Sequence, residues 1–429
     1  MLKKRKFWVH NVLATAFIFG FMWVAGQLFA IFDFLDPIGD ALAGYEVTDQ
    51  VFSNPQWRDV PPLDDDILIV NLGDPTRGVD RRITAEQINI LNSFGPKVIG
   101  LDAIFRNLKQ DTLGDMMLAD ALANTPNIIM YEKLLDPNDD GIWTDAEYSH
   151  PIFTQNHETA SVNLISHDAS SSQQDFKECR SFFPMERHLN PETGEIDTVF
   201  AFGVQLARKF NPEATDEFLN RASEEEIINF RGNIFDFGLT QHGNRYFTLD
   251  WYQVLDTAFT EDVVKDKIVL MGFLGSFLDD RNTVEDKYFT PLNEQYVGRA
   301  LPDMYGVVIH ANIISMILNR DYLDQMKEST ACILAVIVCF LNVVVFSTIY
   351  HTWPRWYDGV TKLIQLIEAM LFTFIIILVF HFFNFKLNLT WVIVAVLFAG
   401  DSLEVYYGVI ANAYEKFARK LFTKKKVAV

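Results

Sequence analysis

Two apolar runs with a helical period between them dominate the first quarter of the chain. Asp66 to Leu72 (DILIVNL) is apolar and β-branched and ends in Gly73-Asp74-Pro75, the pattern of a buried strand entering a loop. Thr84 followed by Gln87 predicts a capped helix start, and Ile83, Ile88, Leu91 and Phe94 supply its apolar face before Gly95 stops it. Lys97 to Asp102 (KVIGLD) is a second apolar run, so strand, crossover helix and strand follow at the spacing of a parallel βαβ unit. Asp115 to Ala123 continues the alternation with an amphipathic helix, and Asn127 to Leu134 with a third strand. From Asp136 to Glu195 the period fades into polar turns, which predicts hairpins or an inserted loop region. Val199 to Phe210 reads as a helix packed on one face, Ile227 to Phe230 and Lys267 to Gly272 as strands, and Gly306 to Leu318 as a helix. The expected fold class is α/β, with a mostly parallel sheet built from βαβ units.

Four other stretches are apolar on every face: Phe7 to Ile31, Ala331 to Tyr350, Leu363 to Phe383 and Leu389 to Ile410. Each is long enough to cross a bilayer. A composition of 49% hydrophobic residues, with 37 Phe among 429 residues, fits membrane insertion better than an ordinary soluble chain. The first run is too long for the core of a secretory signal, so it reads as an uncleaved anchor. Expected boundaries are an anchor at 1–32, an extracytoplasmic domain at 33–328, a three-helix membrane region at 329–410 and a basic tail at 411–429.

Orientation follows from the cations. Lys3 to Lys6, Arg355 and Lys362, and Lys416 to Lys426 fall on one side, and the opposite short loop holds only Lys386, so both termini are expected to be cytoplasmic. The domain at 33–328 then carries a net charge of about −28, which argues against nucleic acid or an anionic lipid surface as a partner and also suits plain solubility. Cys179 is alone outside the spans, so no internal disulfide staples this domain.

The ordered motifs DILIVNL with Asp74, GPKVIGLDAIF, INFRG at Ile228 to Gly232, DKIVLMG with Asp280, Tyr288-Phe289-Thr290-Pro291-Leu292 and YGVVIHANIISMIL together resemble the extracytoplasmic CHASE sensor domain of the second type. The resemblance covers about Asp40 to Tyr322, and it extends to the layout of one span before the domain and three after it. It implies a sensor in a bacterial inner (cytoplasmic) membrane with its large domain in the periplasm. GVDRRIT at Gly78 to Thr84 departs from the family, which usually has a Trp- and Pro-rich turn there. Family members usually place a kinase or cyclase after the last span, whereas only Ala411 to Val429 follow it here, too few residues for an enzyme domain. Action through a separate membrane or envelope protein is the leading expectation, with homo-oligomerisation open. A scaffold subunit of a membrane complex is the alternative. An extracytoplasmic hydrolase is a weaker one, since the sequence has no Gly-x-Ser-x-Gly elbow, His-Glu-x-x-His pair or Walker loop.

Three groups of residues are candidates for chemistry. In an open α/β sheet a ligand sits beyond the carboxyl ends of the strands, which points to Asp74, Arg77, Asp102, Arg106 and Asp280. Helix capping and loop bracing are the structural alternative for the three acids, and His310 is expected to be a structural core group. Asp136 to Glu147 fits the calcium-loop pattern D-x-[DN]-x-[DN]-G-x₅-E, with ligands expected from Asp136, Asn138, Asp140, the Ile142 carbonyl, Thr144 and Glu147. The ion would then order the loop; the competing reading is an acidic surface turn. In the spans, Asn342, Glu368, Asp401 and Glu404 lie about 9 to 14 Å from the cytoplasmic ends. A charge there is costly, and Lys362 and Lys416 are the nearest cations of the chain. Docking of a partner subunit that brings Arg or Lys is one reading; snorkelling to the interface beside Tyr406 and Tyr407 is the other.

Overall fold

The computed structural model describes residues 2–32, 49–53, 57–58, 61–74, 80–154, 157–164, 177–190, 193–235, 242–278, 283–293 and 301–411. It divides into two compact units, Gly44–Leu323 and the remainder, Met1–Ala43 with Asp324–Val429.

The first unit is built on strand β1 (Asp64–Asn71), whose last five residues are all buried. Helix α1 (Arg81–Ser93) leads to β2 (Val98–Leu101), and α2 (Thr112–Ala123) to β3 (Ile128–Pro137). A hairpin returns as β4 (Ile142–Tyr148), followed by β5 (Glu158–Ser161), β6 (Met185–Leu189) and β7 (Ile196–Phe200). Helix α3 (Phe202–Phe210) precedes β8 (Tyr246–Leu249), β9 (Ile268–Gly272) and helix α4 (Gly306–Asn319). The sheet has nine strands in the order β8-β1-β9-β2-β3-β4-β6-β7, with β5 beside β3. The first five of that order run parallel, while the β3–β4 and β6–β7 pairs are antiparallel.

The crossovers place layers on both faces, which is why the parallel strands read as unbroken apolar runs. On one face Leu68, Val70, Ile99, Leu101 and Met271 pack with Ala85, Ile88 and Leu91 of α1 and Leu118 and Leu122 of α2. On the other lie α3 and α4, and α4 is buried at every position from Gly306 to Ile317.

Several expected elements shift. Helix α1 starts at Arg81, because Asp80 caps it by accepting from the backbone N–H groups of Arg82 and Ile83. The helix expected from Val199 begins only at Phe202; Val199 and Phe200 end strand β7. Ile227 to Phe230 is no sheet strand. Glu226 and Ile227 form a two-residue pairing with Ser181 and Phe182, and the next turn is pinned by Asn312, whose Oδ1 accepts from the N–H groups of Arg231 and Gly232. Gly232 is required there, since a Cβ would stand 2.4 Å from the His242 carbonyl oxygen and 2.2 Å from Arg245 Cγ.

The second unit holds four helices long and apolar enough to cross a membrane: Lys6–Val24, Glu328–Thr352, Pro354–Phe383 and Thr390–Ala411. The last packs on the other three, and the buried residues on it include Leu403 and the small Ala395 and Ala399, which let helices approach closely without a hydrophobic drive between them. Polar groups are matched across the helices. Gln365 donates to the carbonyls of Val396 and Leu397, Tyr357 to that of Gly400, and His10 pairs with the Tyr406 hydroxyl.

Candidate functional site

A cavity of about 280 Å³ opens beyond the carboxyl ends of β1, β2 and β9. Leu72, Ala103, Ile104, Phe105 and Phe273 give it an apolar wall, and Asp80, Arg81, Thr84, Asp102 and Lys109 a polar one. The place follows from topology. The crossover from β1 passes over β9 to reach β2, so loops leave in different directions and a crevice remains between them.

Its floor is rigid. Asn71, fully buried at the end of β1, donates to Asp250 Oδ1 and the Gly275 carbonyl and accepts from the N–H groups of Gly73 and Leu274. Asp250 also accepts from Leu278 N and caps the helix Trp251–Leu255 together with Gln253. Asp74 accepts the Ser276 hydroxyl at 3.2 Å, a loop brace at the rim. Arg77 and Asp280 lie outside the described residues.

Asp102 is half-buried at the end of β2, where its backbone N–H bonds the Met271 carbonyl. Burial, with the like charge of Asp286 added, pushes its carboxyl up to about 8. Asp286 occupies a left-handed turn (φ 58°) just before the short strand Lys287–Phe289, and its carbonyl accepts from the N–H of Gly306, the first residue of α4. The Asp286 carboxylate lies beside Gly306, where a Cβ would meet it at 3.4 Å, an ordinary contact distance. Two phenols complete the acidic corner. Burial and then Asp102 raise Tyr131 to about 12, and burial and then Asp286 raise Tyr288 further.

Arg106 pairs with Glu147 of β4, which lowers the carboxylate and raises the guanidinium above their ordinary values. Arg81 is buried. It pairs with Asp115, donates to the Asn107 carbonyl and rests against the rings of Phe105 and Phe153 at 5.4 and 5.1 Å. Sequence reasoning passed over Arg81, Lys109, Phe105 and Asp286. For Arg81 a signal existed: a cation in the first turn of a helix opposes the dipole and needs an acid to hold it.

The run from Asp136 to Glu147 is a β-hairpin, and its polar groups serve the turn. Asn138 Oδ1 accepts from the N–H groups of Asp140 and Ile142, the Ile142 carbonyl accepts from Asn138 N, and Thr144 donates to the Asp136 carbonyl. Glu147 lies opposite Lys133, five strand residues or about 17 Å beyond Ile142. It is therefore not brought to the tip with Asp136 and Asp140. Among the described residues no group of three or more His, Cys, Asp or Glu forms a metal-ligand cluster. His310 is buried against Phe202, with its ring lowered to about 3 by burial and no partner for Nδ1 among the described residues.

In the membrane helices Asp401 pairs with Lys362, Nζ lying 2.5 and 2.6 Å from its oxygens, so the chain itself supplies that cation. Glu404 is exposed near it on the same helix. Asn342 reaches Glu368 between the second and third spans, and Glu368 Oε2 has no partner among the described residues.

A family model for the CHASE2 domain matches residues 21–349, most of the chain. The chain belongs to the CHASE2 domain family. CHASE2 domains are extracytoplasmic sensors, and the four apolar helices fit their layout, one before the domain and three after. The expected YFTPL motif of this CHASE2 domain is structural: Asp303 accepts from the N–H and hydroxyl of Thr290 and from Asn293, holding the turn closed. No curated protein and no solved structure matches the sequence.

Proposed function

We propose that the CHASE2 domain binds a small ligand in the cavity beyond β1, β2 and β9, and that the bound state is relayed through the membrane helices to a separate output protein. One arrangement supports this reading: Asp102 lines the cavity and feels the like charge of Asp286, whose backbone carbonyl accepts from the N–H of Gly306, the first residue of α4. In sequence α4 leads from that contact towards the second span, which starts at Glu328. The cavity suits a small molecule with both apolar and polar parts, because Asp102 and Lys109 share its lining with Leu72, Phe105 and Phe273. A ligand that bonds Asp102 changes the charge facing Asp286, and with it the anchoring of α4. Orientation with both termini in the cytoplasm puts the basic loops and tail where an output protein can engage them.

The reading is tested by purifying the full chain in mild detergent and comparing it with Ala103→Trp, which fills the cavity. Native mass spectrometry is expected to find a retained small molecule on the native chain and none on the variant, and affinity purification to recover a second protein at fixed stoichiometry. Equal small-molecule content in both proteins removes the cavity from the reading. Recovery of the chain alone removes the partner.

A further inference from the structure

A second concavity, of about 510 Å³, lies on the other half of the sheet and belongs to none of the contacts described above. It is walled by Glu132 of β3, Tyr148 of β4, Glu158 of β5, His188 of β6, Asp197 of β7 and Arg208 of α3. Its lining is acidic but ordered. Glu132 is 4% exposed and takes one hydroxyl on each oxygen, from Tyr148 at 2.9 Å and from Thr159 at 2.7 Å. Glu158 is held by Gln205 and Lys209, Asp197 takes the Asn190 amide, and Arg208 lies over the Phe200 ring.

His188 stands apart from this order. It is 5% exposed, lines the groove opposite Asp197 in the β6–β7 ladder, and its Nε2 has no hydrogen-bond partner among the described residues. A buried ring nitrogen without a partner destabilises the fold, and a ligand that bonds it recovers that cost. Three carboxylates against the Arg208 guanidinium and the Lys209 ammonium that holds Glu158 leave the groove net negative, and among the described residues the carboxylates and imidazole do not converge as metal ligands. Val199, Phe200 and the Tyr148 ring offer hydrocarbon between the charged groups.

We propose that this groove binds a linear aliphatic amine with two or more ammonium groups, of the polyamine class. One ammonium donates to His188 Nε2 and lies against Asp197; another reaches the Glu132 and Glu158 side; the methylenes between them cover Val199 and Phe200. The site is independent of the cavity beside Asp102, and either can fail without the other.

Titration calorimetry of the full chain with spermidine, in nanodiscs of zwitterionic lipid, tests it. The expected result is saturable binding that weakens about tenfold or more in Asp197→Asn and in His188→Phe and is unchanged in the exposed control Glu195→Gln. Binding is also expected to weaken as salt rises. Asp197 is exposed, so its variant keeps the test open if the buried His188 substitution impairs folding. No heat at millimolar spermidine overturns the proposal, as does equal affinity in all variants. So does displacement of spermidine by a neutral disaccharide or by magnesium alone.

Discussion

Arg106 grips both carboxylate oxygens of Glu147, with Nη2 to Oε2 at 2.7 Å. The contact joins the segment after β2 to the second strand of the β3–β4 hairpin, and it draws Glu147 out of the ligand set that its spacing suggested. Any calcium bound by this run is then held at the hairpin tip by Asp136 and Asp140. Calorimetry with calcium is expected to give the same heat for Glu147→Gln as for the native chain, and less for Asp136→Ala. A loss confined to Glu147→Gln restores the twelve-residue loop. The same variant is expected to lower stability by at most about 1 kcal/mol, since Arg106 is largely exposed.

The Asp102 carboxyl makes stability depend on pH in a direction opposite to the usual surface acid. Folded, it keeps its proton up to about 8; unfolded, it loses it near 3.8. Between those values the folded state holds more protons, so stability falls as pH rises across the window. Asp102→Asn is expected to melt above the native chain at pH ~9, by roughly 1–3 kcal/mol, with the gap closing towards pH ~4. Glu186, raised to about 7, and Asp303, raised to about 6, act in the same sense, so part of the slope remains. His310 acts oppositely, its neutral burial being lost as pH falls from 6.5 towards 3. Thermal melts at several pH values check this; a variant that is never more stable than the native chain counts against the buried acid.

Gly232→Ala is expected to cost roughly 2–4 kcal/mol, because the Cβ meets backbone at the His242 carbonyl as well as a side chain. Arg245→Ala in the same chain relieves only the side-chain clash. A double variant as unstable as the single one identifies the backbone contact as the cause, and full rescue assigns it to Arg245.

Cysteines placed at Thr193 and Lys386 are expected to react with an impermeant reagent from outside the cell, and those at Arg355 and Glu404 to remain protected. External labelling at Arg355 reverses the assignment of the loops. Asp401→Leu alone leaves Lys362 without its partner, so Lys362→Leu with Asp401→Leu is expected to insert better than either single change, measured as membrane-fraction yield.

The strands legible from sequence, β1, β2, β3 and β9, each carry an unbroken buried apolar run, residues 67–70, 98–101, 128–130 and 268–271. Strand β8 is four residues long, with its two central positions outside the buried set, and gives no such run. Strand β7 was absorbed into the helix that follows because Val199 and Phe200 continue the apolar spacing of α3. For the start of α1, Asp80 and Thr84 are both capping residues, and only the coordinates show that Thr84 turns its hydroxyl back to the Asp80 carbonyl. Of the cavity, Asp102 was legible from its place at a strand end. Asp286 was not, since an acid next to Glu285 in the polar run TVEDKY has no pattern; its effect arises from a turn that brings it to the start of α4. The groove at His188 joins five strands and a helix, a juxtaposition no local spacing encodes.

Strand β1 is flanked by β8 and β9, and Asn71 at its end bonds Leu274, 203 positions later in the chain. The centre of the sheet therefore cannot close until the β9 segment and Leu274 have been made. Strands β1, β2 and β3 leave the ribosome first, with the gap between β1 and β2 unfilled until the β9 segment has crossed the membrane. Such long-range closure is slow, and the open edges beside β1 and β2 are templates for pairing with other chains in the meantime. A lesion in β9 is therefore expected to leave the edges of β1 and β2 open to pairing with other chains, so that the chain aggregates rather than persisting as a weakened sensor.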